Sequence, residues 1–370
     1  MTEKPIPDKK PVGEWNGVRI EPGERSDVFL EVGESYSGAT VSIPIHVMRG
    51  REEGPAIFIS AALHGDEING TGVVRALIRD ESLVLKRGAL ILVPVLNVLA
   101  FERHSRYLPD RRDLNRCFPG MKKGSLASRM ARMIFDEIVL RADYGIDLHT
   151  AAVRRTNYPN VRADLSHPEV ERLAYAFGSE FILNAVGPKG ALRREACRVN
   201  CPTILLEGGE VWKVEPAILD NTLRGIRNVL VHFEMIDGEV VNPPFRIIVK
   251  KTKWIRANGA GFLRFHVSPG VVVAKGDTIA TNTSLLGKEE EVMCAPFDAA
   301  VLGMTTLPAV SAGEPVYNLG RLEKGARRIE KIRARLPDGH PHEAVIDDLS
   351  SSMIVVDPPE PEPPREPLSG

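Results

Sequence analysis

Four short segments of this chain carry side chains that can share one chemical task. His64-Gly65-Asp66-Glu67 follows the apolar run 56–63, and a His and a Glu in the turn leaving a buried strand can converge on one metal ion. Alone the pattern is weak. Nine His and 49 acidic residues in 370 make about one His-x-x-acid pair expected by chance, and an ordinary strand-to-helix loop with an acid near the helix start explains it equally well. Asp147-Leu148-His149 closes a second apolar run, 144–148. His149 completes two His and one carboxylate, the set that leaves a fourth zinc position open to water. Asp147, two residues earlier and on the same face of a continuing strand, can orient a ligating imidazole; a polar strand end with a solvated His is the alternative. Thr203-Ile204-Leu205-Leu206-Glu207-Gly208-Gly209 puts Glu207 at the end of a third run, before two glycines that keep the backbone open. A carboxylate there suits a general base acting on metal-activated water, although in isolation a helix-capping or loop Glu accounts for it better. Asp113-Leu114-Asn115-Arg116 offers adjacent amide and guanidinium donors, Asn115 and Arg116, for a substrate carboxylate; a structural salt bridge is the alternative for the Arg.

The elements that must position these residues follow from the texture of the chain. From 41 to 233, short apolar runs without polar alternation (56–63, 89–96, 144–148, 203–206) alternate with helical patterns near 70–79, 126–140, 168–177 and 215–232. Strands buried on both faces and separated by helices predict an α/β domain, 41–240, with a mixed or mostly parallel sheet, preceded by an extension or edge segment, 1–40. After Asn242-Pro243-Pro244, β-branched residues punctuated by Gly, Pro and Asp turns (246–254, 261–267, 292–295, 299–304) predict a smaller, barrel-like all-β domain, 241–322. Beyond Arg321 a charged segment with Lys324, Arg327, Arg328 and Lys331 leads to a Pro-rich acidic run, 357–367. That run reads as too polar to bury a core and as disordered, and 323–370 together as a charged and Pro-rich tail.

Composition narrows the function classes. A length of 370 residues predicts two to three domains, and 43% hydrophobic with 26% charged residues excludes disorder as the general state. A net charge of −1 supplies no field to capture nucleic acid or anionic lipid. No run approaches the roughly 18 to 20 apolar residues needed to cross a bilayer. The segment 1–11 lacks the apolar core of a signal peptide, and four scattered cysteines fit a reducing compartment, so the expected location is the cytoplasm.

Taken in order, His64-Gly65-Asp66-Glu67, Asp113-Leu114-Asn115-Arg116, Asp147-Leu148-His149 and Leu206-Glu207-Gly208-Gly209 resemble the succinylglutamate desuccinylase and aspartoacylase family, within the wider zinc carboxypeptidase-like folds. The resemblance spans about 41–233 plus the trailing β domain. It implies zinc-dependent hydrolysis of the amide bond of a small N-acyl amino acid, with His64, Glu67 and His149 as zinc ligands and Glu207 as the acid/base. It also implies that Asn115 and Arg116 hold a substrate carboxylate and that an upstream Arg polarises the scissile carbonyl. Arg106, Arg111 and Arg112 compete for that last role; Arg106 is preferred because the other two read as a solvated charged turn. Where the aspartoacylase branch has a Thr-Thr pair, this chain reads Thr150-Ala151-Ala152, closer to bacterial relatives that deacetylate diaminobutyrate-type substrates.

Residues 292–301 and 311–316 resemble a biotinyl or lipoyl-like barrel without its modified Lys, so the β domain is expected to narrow the active-site mouth or to mediate subunit contacts. Cys197 and Cys201 read as buried or free thiols, His340-Pro341-His342 as solvated, and the loop with Gly187, Pro188 and Gly190 as a candidate gate. Two other readings compete: a metallocarboxypeptidase removing a terminal acidic residue from a peptide tail, and a catalytically silent metal-binding scaffold. The expected partner is a small N-acyl amino acid, with no nucleic acid and no membrane; a homo-oligomer is left open.

Overall fold

The apolar runs become strands that hydrogen-bond into one sheet, because a segment apolar on both sides is stable only where both faces are covered. In the computed structural model, which describes residues 8–34, 38–287, 290–323, 326–337, 339–351, 355–356 and 358, thirteen strands join this sheet. Its centre is parallel: Arg87–Val93, Glu52–Ala61, Tyr144–His149 and Thr203–Gly209 lie side by side in that order. Antiparallel strands continue it on either side, Thr40–Arg49 and Arg25–Glu34 beyond Arg87–Val93, and Arg155–Ala163 beyond Thr203–Gly209. The sheet is therefore mixed. Helices Asn69–Arg79, Pro168–Phe177 and Pro216–His232 pack one core against it, and Leu126–Glu137 belongs to a second.

Close approach sets the first helix. A Cβ on Gly70 would lie 2.6 Å from the Leu148 Cβ and 2.9 Å from that of Ala61. Glycine lets the helix begin directly against the strand ends that precede His64 and His149.

Hydrogen bonding does not stop at residue 240. Ala299–Thr305 pairs with Arg155–Ala163, then Pro315–Arg321 and Thr252–Arg256 follow, so strands from the C-terminal β region extend the large sheet. A separate four-stranded antiparallel sheet, Glu290–Cys294, Thr278–Thr283, Gly261–Phe265 and Ala309–Val310, covers them. The run 246–254, read as continuous, divides: Ile247–Val249 pairs with Phe181–Asn184, while Thr252–Arg256 pairs with Pro315–Arg321. Lys250 and Lys251 stand at the break, exposed.

The charged segment after Arg321 is folded. It forms helices Ala326–Arg333 and Pro341–Ser351, and buries Ile329, Val345, Ile346 and Leu349 in a cluster with Tyr158, Phe181 and Ile218. The spacing of 345, 346 and 349 makes one apolar helix face, which the acidic residues around it obscure in a composition count. His342, expected to be solvated, is 1% exposed. Its Nδ1 lies 2.8 Å from the Tyr158 hydroxyl and 2.7 Å from Glu180 Oε2. Residues 1–7 and, Pro358 apart, the run 357–367 lie outside the described residues. No helix among the described residues is long and apolar enough to cross a membrane.

If the second of these helices is part of the core, Leu349→Ala should cost about 2–5 kcal/mol in denaturant unfolding of the full chain. A change within ~0.5 kcal/mol, as for a surface position, would return the segment to a solvated tail.

Candidate active site

The three parallel strands that carry the motifs end at the same edge, where the ligand crevice of an open α/β sheet lies. Register does the alignment. Ala61 pairs with Leu148 and Glu207 pairs with His149, so residues far apart in sequence emerge side by side. Ser60 pairs with Asp147 and donates its hydroxyl to Asp147 Oδ1 at 2.8 Å, leaving Oδ2 for His149 Nε2 at 2.9 Å. A left-handed turn at Gly209 (φ +75°) ends the Glu207 strand, where a Cβ would strike the Glu215 carboxylate at 2.0 Å.

Glu67 sits between two imidazoles. Its Oε1 is 2.6 Å from His64 Nδ1 and its Oε2 2.7 Å from His149 Nδ1, with a further hydrogen bond from the Thr150 N–H at 3.1 Å. Each ring is held from behind by a second carboxylate: His64 Nε2 by Asp113 Oδ1 at 3.2 Å, His149 Nε2 by Asp147. An ionised carboxylate only accepts, so Asp113 and Asp147 favour a proton on each Nε2, while both Nδ1 atoms are turned toward Glu67. Burial opposes charge on Glu67, but the two imidazoles outweigh it and hold the carboxyl far below its ordinary range. Burial likewise opposes protonation of the rings, yet Glu67 and Asp113 draw His64 upward, and Asp147 and Glu67 draw His149 upward.

Lone pairs facing a carboxylate at such distances require positive charge between them, supplied by protons or by a cation. The donor atoms of His64, Glu67 and His149 all lie within 4.8 Å of one another. Two imidazoles and one carboxylate gathered in this way are a usual donor set for a zinc-sized ion, and the carboxylate behind each ring is the usual support of a metal-ligating His. The residues present fit a divalent cation.

Arg106 is on the same centre. Its guanidinium is 3.2 Å from His64 Nδ1, 3.3 Å from Glu67 Oε1 and 3.0 Å from Asp113 Oδ2. Arg111 and Arg112 are exposed, and Arg112 pairs with Asp110. Glu207 accepts from Asn157 Nδ2 at 3.1 Å and pairs with Arg162 at 3.2 Å. Asn115 is buried and its Oδ1 accepts from the Leu192 N–H at 2.9 Å, tying the turn to helix Leu192–Cys197; Arg116 is exposed and donates to the Asn115 carbonyl.

The His64, Glu67 and His149 donor group lines one cavity of about 260 Å³ together with Arg106, Asn115, Arg116, Asn157, Arg162 and Glu207. Pro188 of the Gly-rich loop and the buried Arg193 border it, as do Trp254 and Asn318 from the C-terminal β region. Cys197 and Cys201 are free thiols and do not border it. Sequence reasoning assigned no role to Asp113, although it lies two residues before Asn115. It also missed Asn157 and Arg162. The available signal was Pro159 inside a strand, which marks a bulge: Glu207 pairs with Asn160 but Gly209 with Asn157, so one extra residue intervenes. Side chains alternate faces, so that extra residue brings Asn157 to the cavity on which Arg162 also opens.

The model of the succinylglutamate desuccinylase/aspartoacylase catalytic domain matches residues 53–233. N-alpha-acetyl-L-2,4-diaminobutyric acid deacetylase of Halomonas elongata is 30% identical over 265 residues, 67% of this chain and 75% of that protein. A succinylglutamate desuccinylase structure from Silicibacter sp. superposes with a TM-score of 0.72 at 21% identity, covering 87% of this chain and all (100%) of that one. The product-bound ectoine utilization protein EutE of Ruegeria pomeroyi gives 0.71 at 22% identity, covering 82% and 98%. At these identities the structural likeness concerns the fold; the sequence relative and the matching catalytic-domain model carry the assignment. The chain belongs to the succinylglutamate desuccinylase/aspartoacylase family.

Proposed function

We propose that the protein is a zinc-dependent deacylase that hydrolyses the amide bond of a small N-acyl amino acid bearing a carboxylate. The observation that carries this reading is the pairing of Glu207 with His149 across neighbouring parallel strands, which sets a carboxylate beside the His64, Glu67 and His149 donor group. The Halomonas relative, named as a deacetylase of an N-acetyl amino acid, supports the reaction type. A cavity of about 260 Å³ matches a small molecule better than a protein tail.

His64, Glu67 and His149 would hold the zinc ion, which when bound would supply a Lewis acid and lower the pKa of an adjacent water. Glu207 takes a proton from the attacking water on its carboxylate and returns it to the departing amine nitrogen as the C–N bond breaks. Asn157 and Arg162 fix that carboxylate from its two oxygens. Arg106 donates toward the carbonyl oxygen as negative charge develops there. Asn115 holds the turn from which Arg116 pairs with the substrate carboxylate. Asp147 and Asp113 orient the two imidazoles. The region 241–322 acts as a β unit that narrows the mouth through Trp254 and Asn318.

The deciding experiment is metal analysis of the purified chain together with a panel of N-acetyl, N-succinyl and N-glutamyl amino acids, assayed with and without chelator. Turnover abolished by chelation and restored by zinc is expected; preference for long glutamyl peptides would favour a carboxypeptidase, and no metal-dependent turnover a scaffold. Glu207→Gln should keep its zinc and lose kcat by about 10²- to 10⁴-fold, and normal turnover in that metal-loaded variant would remove Glu207 from the mechanism. Asp147→Asn should weaken zinc affinity about 10- to 100-fold in a competition titration; unchanged affinity would mean that the imidazole needs no such support.

A further inference from the structure

Behind the cavity, on the opposite face of strand Arg155–Ala163, three polar side chains that the reaction does not use are shut away from water. Tyr158 and His342 are each 1% exposed, and Glu180 is buried with them. They come from three elements: Tyr158 from the strand, Glu180 from the residue before strand Phe181–Asn184, and His342 from the first turn of helix Pro341–Ser351. The Tyr158 hydroxyl donates to Glu180 Oε2 at 2.6 Å, and His342 Nδ1 lies 2.7 Å from that same oxygen. Burial and the neighbouring carboxylate push the Tyr158 phenol well above its ordinary range, so it remains a donor. Its ring meets Phe181 edge-on, with centroids 5.3 Å apart. Tyr158 is thus gripped at both ring and hydroxyl.

The main chain needs an anchor at this point. On one edge the strand pairs with Thr203–Gly209 at Asn157 and again from Asn160 to Arg162. On the other it pairs with Ala299–Thr305 up to Asn157 and with Phe181–Asn184 from Asn160 onward. Tyr158 and Pro159 therefore have no partner in register on either edge, and Pro159 has no N–H to offer. Inside this gap the Tyr158 carbonyl accepts from Asn160 Nδ2 at 2.8 Å, a local brace. The polar tie from the gap to the rest of the fold is the Tyr158 side chain. Its neighbour Asn157 faces the cavity and donates from Nδ2 to Glu207 Oε2 at 3.1 Å, a contact that weakens steeply once misaligned.

We propose that Tyr158, Glu180 and His342 form a positioning device for the acid/base: anchoring the strand where its ladders lapse, they keep the Asn157 amide in line with Glu207 and so couple the C-terminal helix to proton transfer. None of the three borders the cavity, so they act through Asn157 and are positioning residues. Arg162 holds the other oxygen of Glu207, which makes the loss on breaking the device partial. The kinetic consequence rests on the proposed deacylase reading; the structural one does not.

The test compares zinc-loaded full-chain variants on the N-acyl amino acid that wild type cleaves best. Tyr158→Phe keeps the ring and removes the hydroxyl. It should lower kcat about three- to tenfold, the size of one lost hydrogen bond, with KM unchanged. Tyr158→Phe combined with Asn157→Ala should be no slower than Asn157→Ala alone, because residues acting through one another are not additive. His342→Ala should lower kcat likewise, and His342→Gln, whose amide can still donate to Glu180, should recover part of it. Leu349→Val, a mild packing change in the same helix, should leave kcat unchanged. Wild-type kcat in Tyr158→Phe, multiplied losses in the double variant, or an equal loss in Leu349→Val overturns the proposal. Should no N-acyl amino acid be cleaved, the deacylase reading fails, and the positioning claim is decided by crystal structures of wild type and Tyr158→Phe. Departure of the Asn157 amide from Glu207 in the variant supports it, and an unchanged hydrogen bond overturns it.

Discussion

A carboxylate removed from water is costly unless donors or cations surround it, and Glu67 is 2% exposed. Nearly every feature of the site can be traced to compensating that one charge. Two imidazoles from different strand ends face its two oxygens, a backbone N–H and Arg106 add to them, and Asp113 and Asp147 fix the rings so that the same nitrogens always turn inward. The arrangement is anionic in its inner ring and behind it, which is the electrostatic condition for holding a divalent cation while leaving room for water.

Holding that geometry is a task for the sheet. Parallel pairing places the ends of Glu52–Ala61, Tyr144–His149 and Thr203–Gly209 at one edge, and register fixes Asp147 against Ser60 and Glu207 against His149. A one-residue slip would turn Asp147 and His149 to the opposite face together. The bulge in Arg155–Ala163 uses the same rule constructively, since its extra residue brings Asn157 to the carboxylate of Glu207. That strand also pairs with Ala299–Thr305, so the C-terminal β region is continuous with the sheet that bears the site and lends Trp254 and Asn318 to its wall.

The helices that follow the β region reinforce the same strand from its other side. Tyr158, between Asn157 and the bulge proline, is buried with Glu180 and His342. The C-terminal helix thereby rests on the segment whose neighbour positions Glu207. Packing far from the crevice thus supports side chains within it, as expected where interiors are dense and transmit displacement.

Much of this was legible in the order of residues. Apolar runs without alternation marked strands buried on both faces, and polar residues at their ends, His64, Glu67, Asp147, His149 and Glu207, marked the crevice, because burial leaves a chemical side chain few other places to emerge. Local patterning could not reveal the partners supplied by register and bulge, Asp113 behind His64 or Asn157 and Arg162 around Glu207, since those depend on which strand lies beside which and with what offset. Nor could it show that Trp254, more than a hundred positions after His149, would stack on Arg155, or that a segment rich in charge would bury Leu349 and His342. Periodicity and composition act within a few residues of the chain; the meeting of distant side chains is decided only when the sheet closes its hydrogen bonds and the core fills.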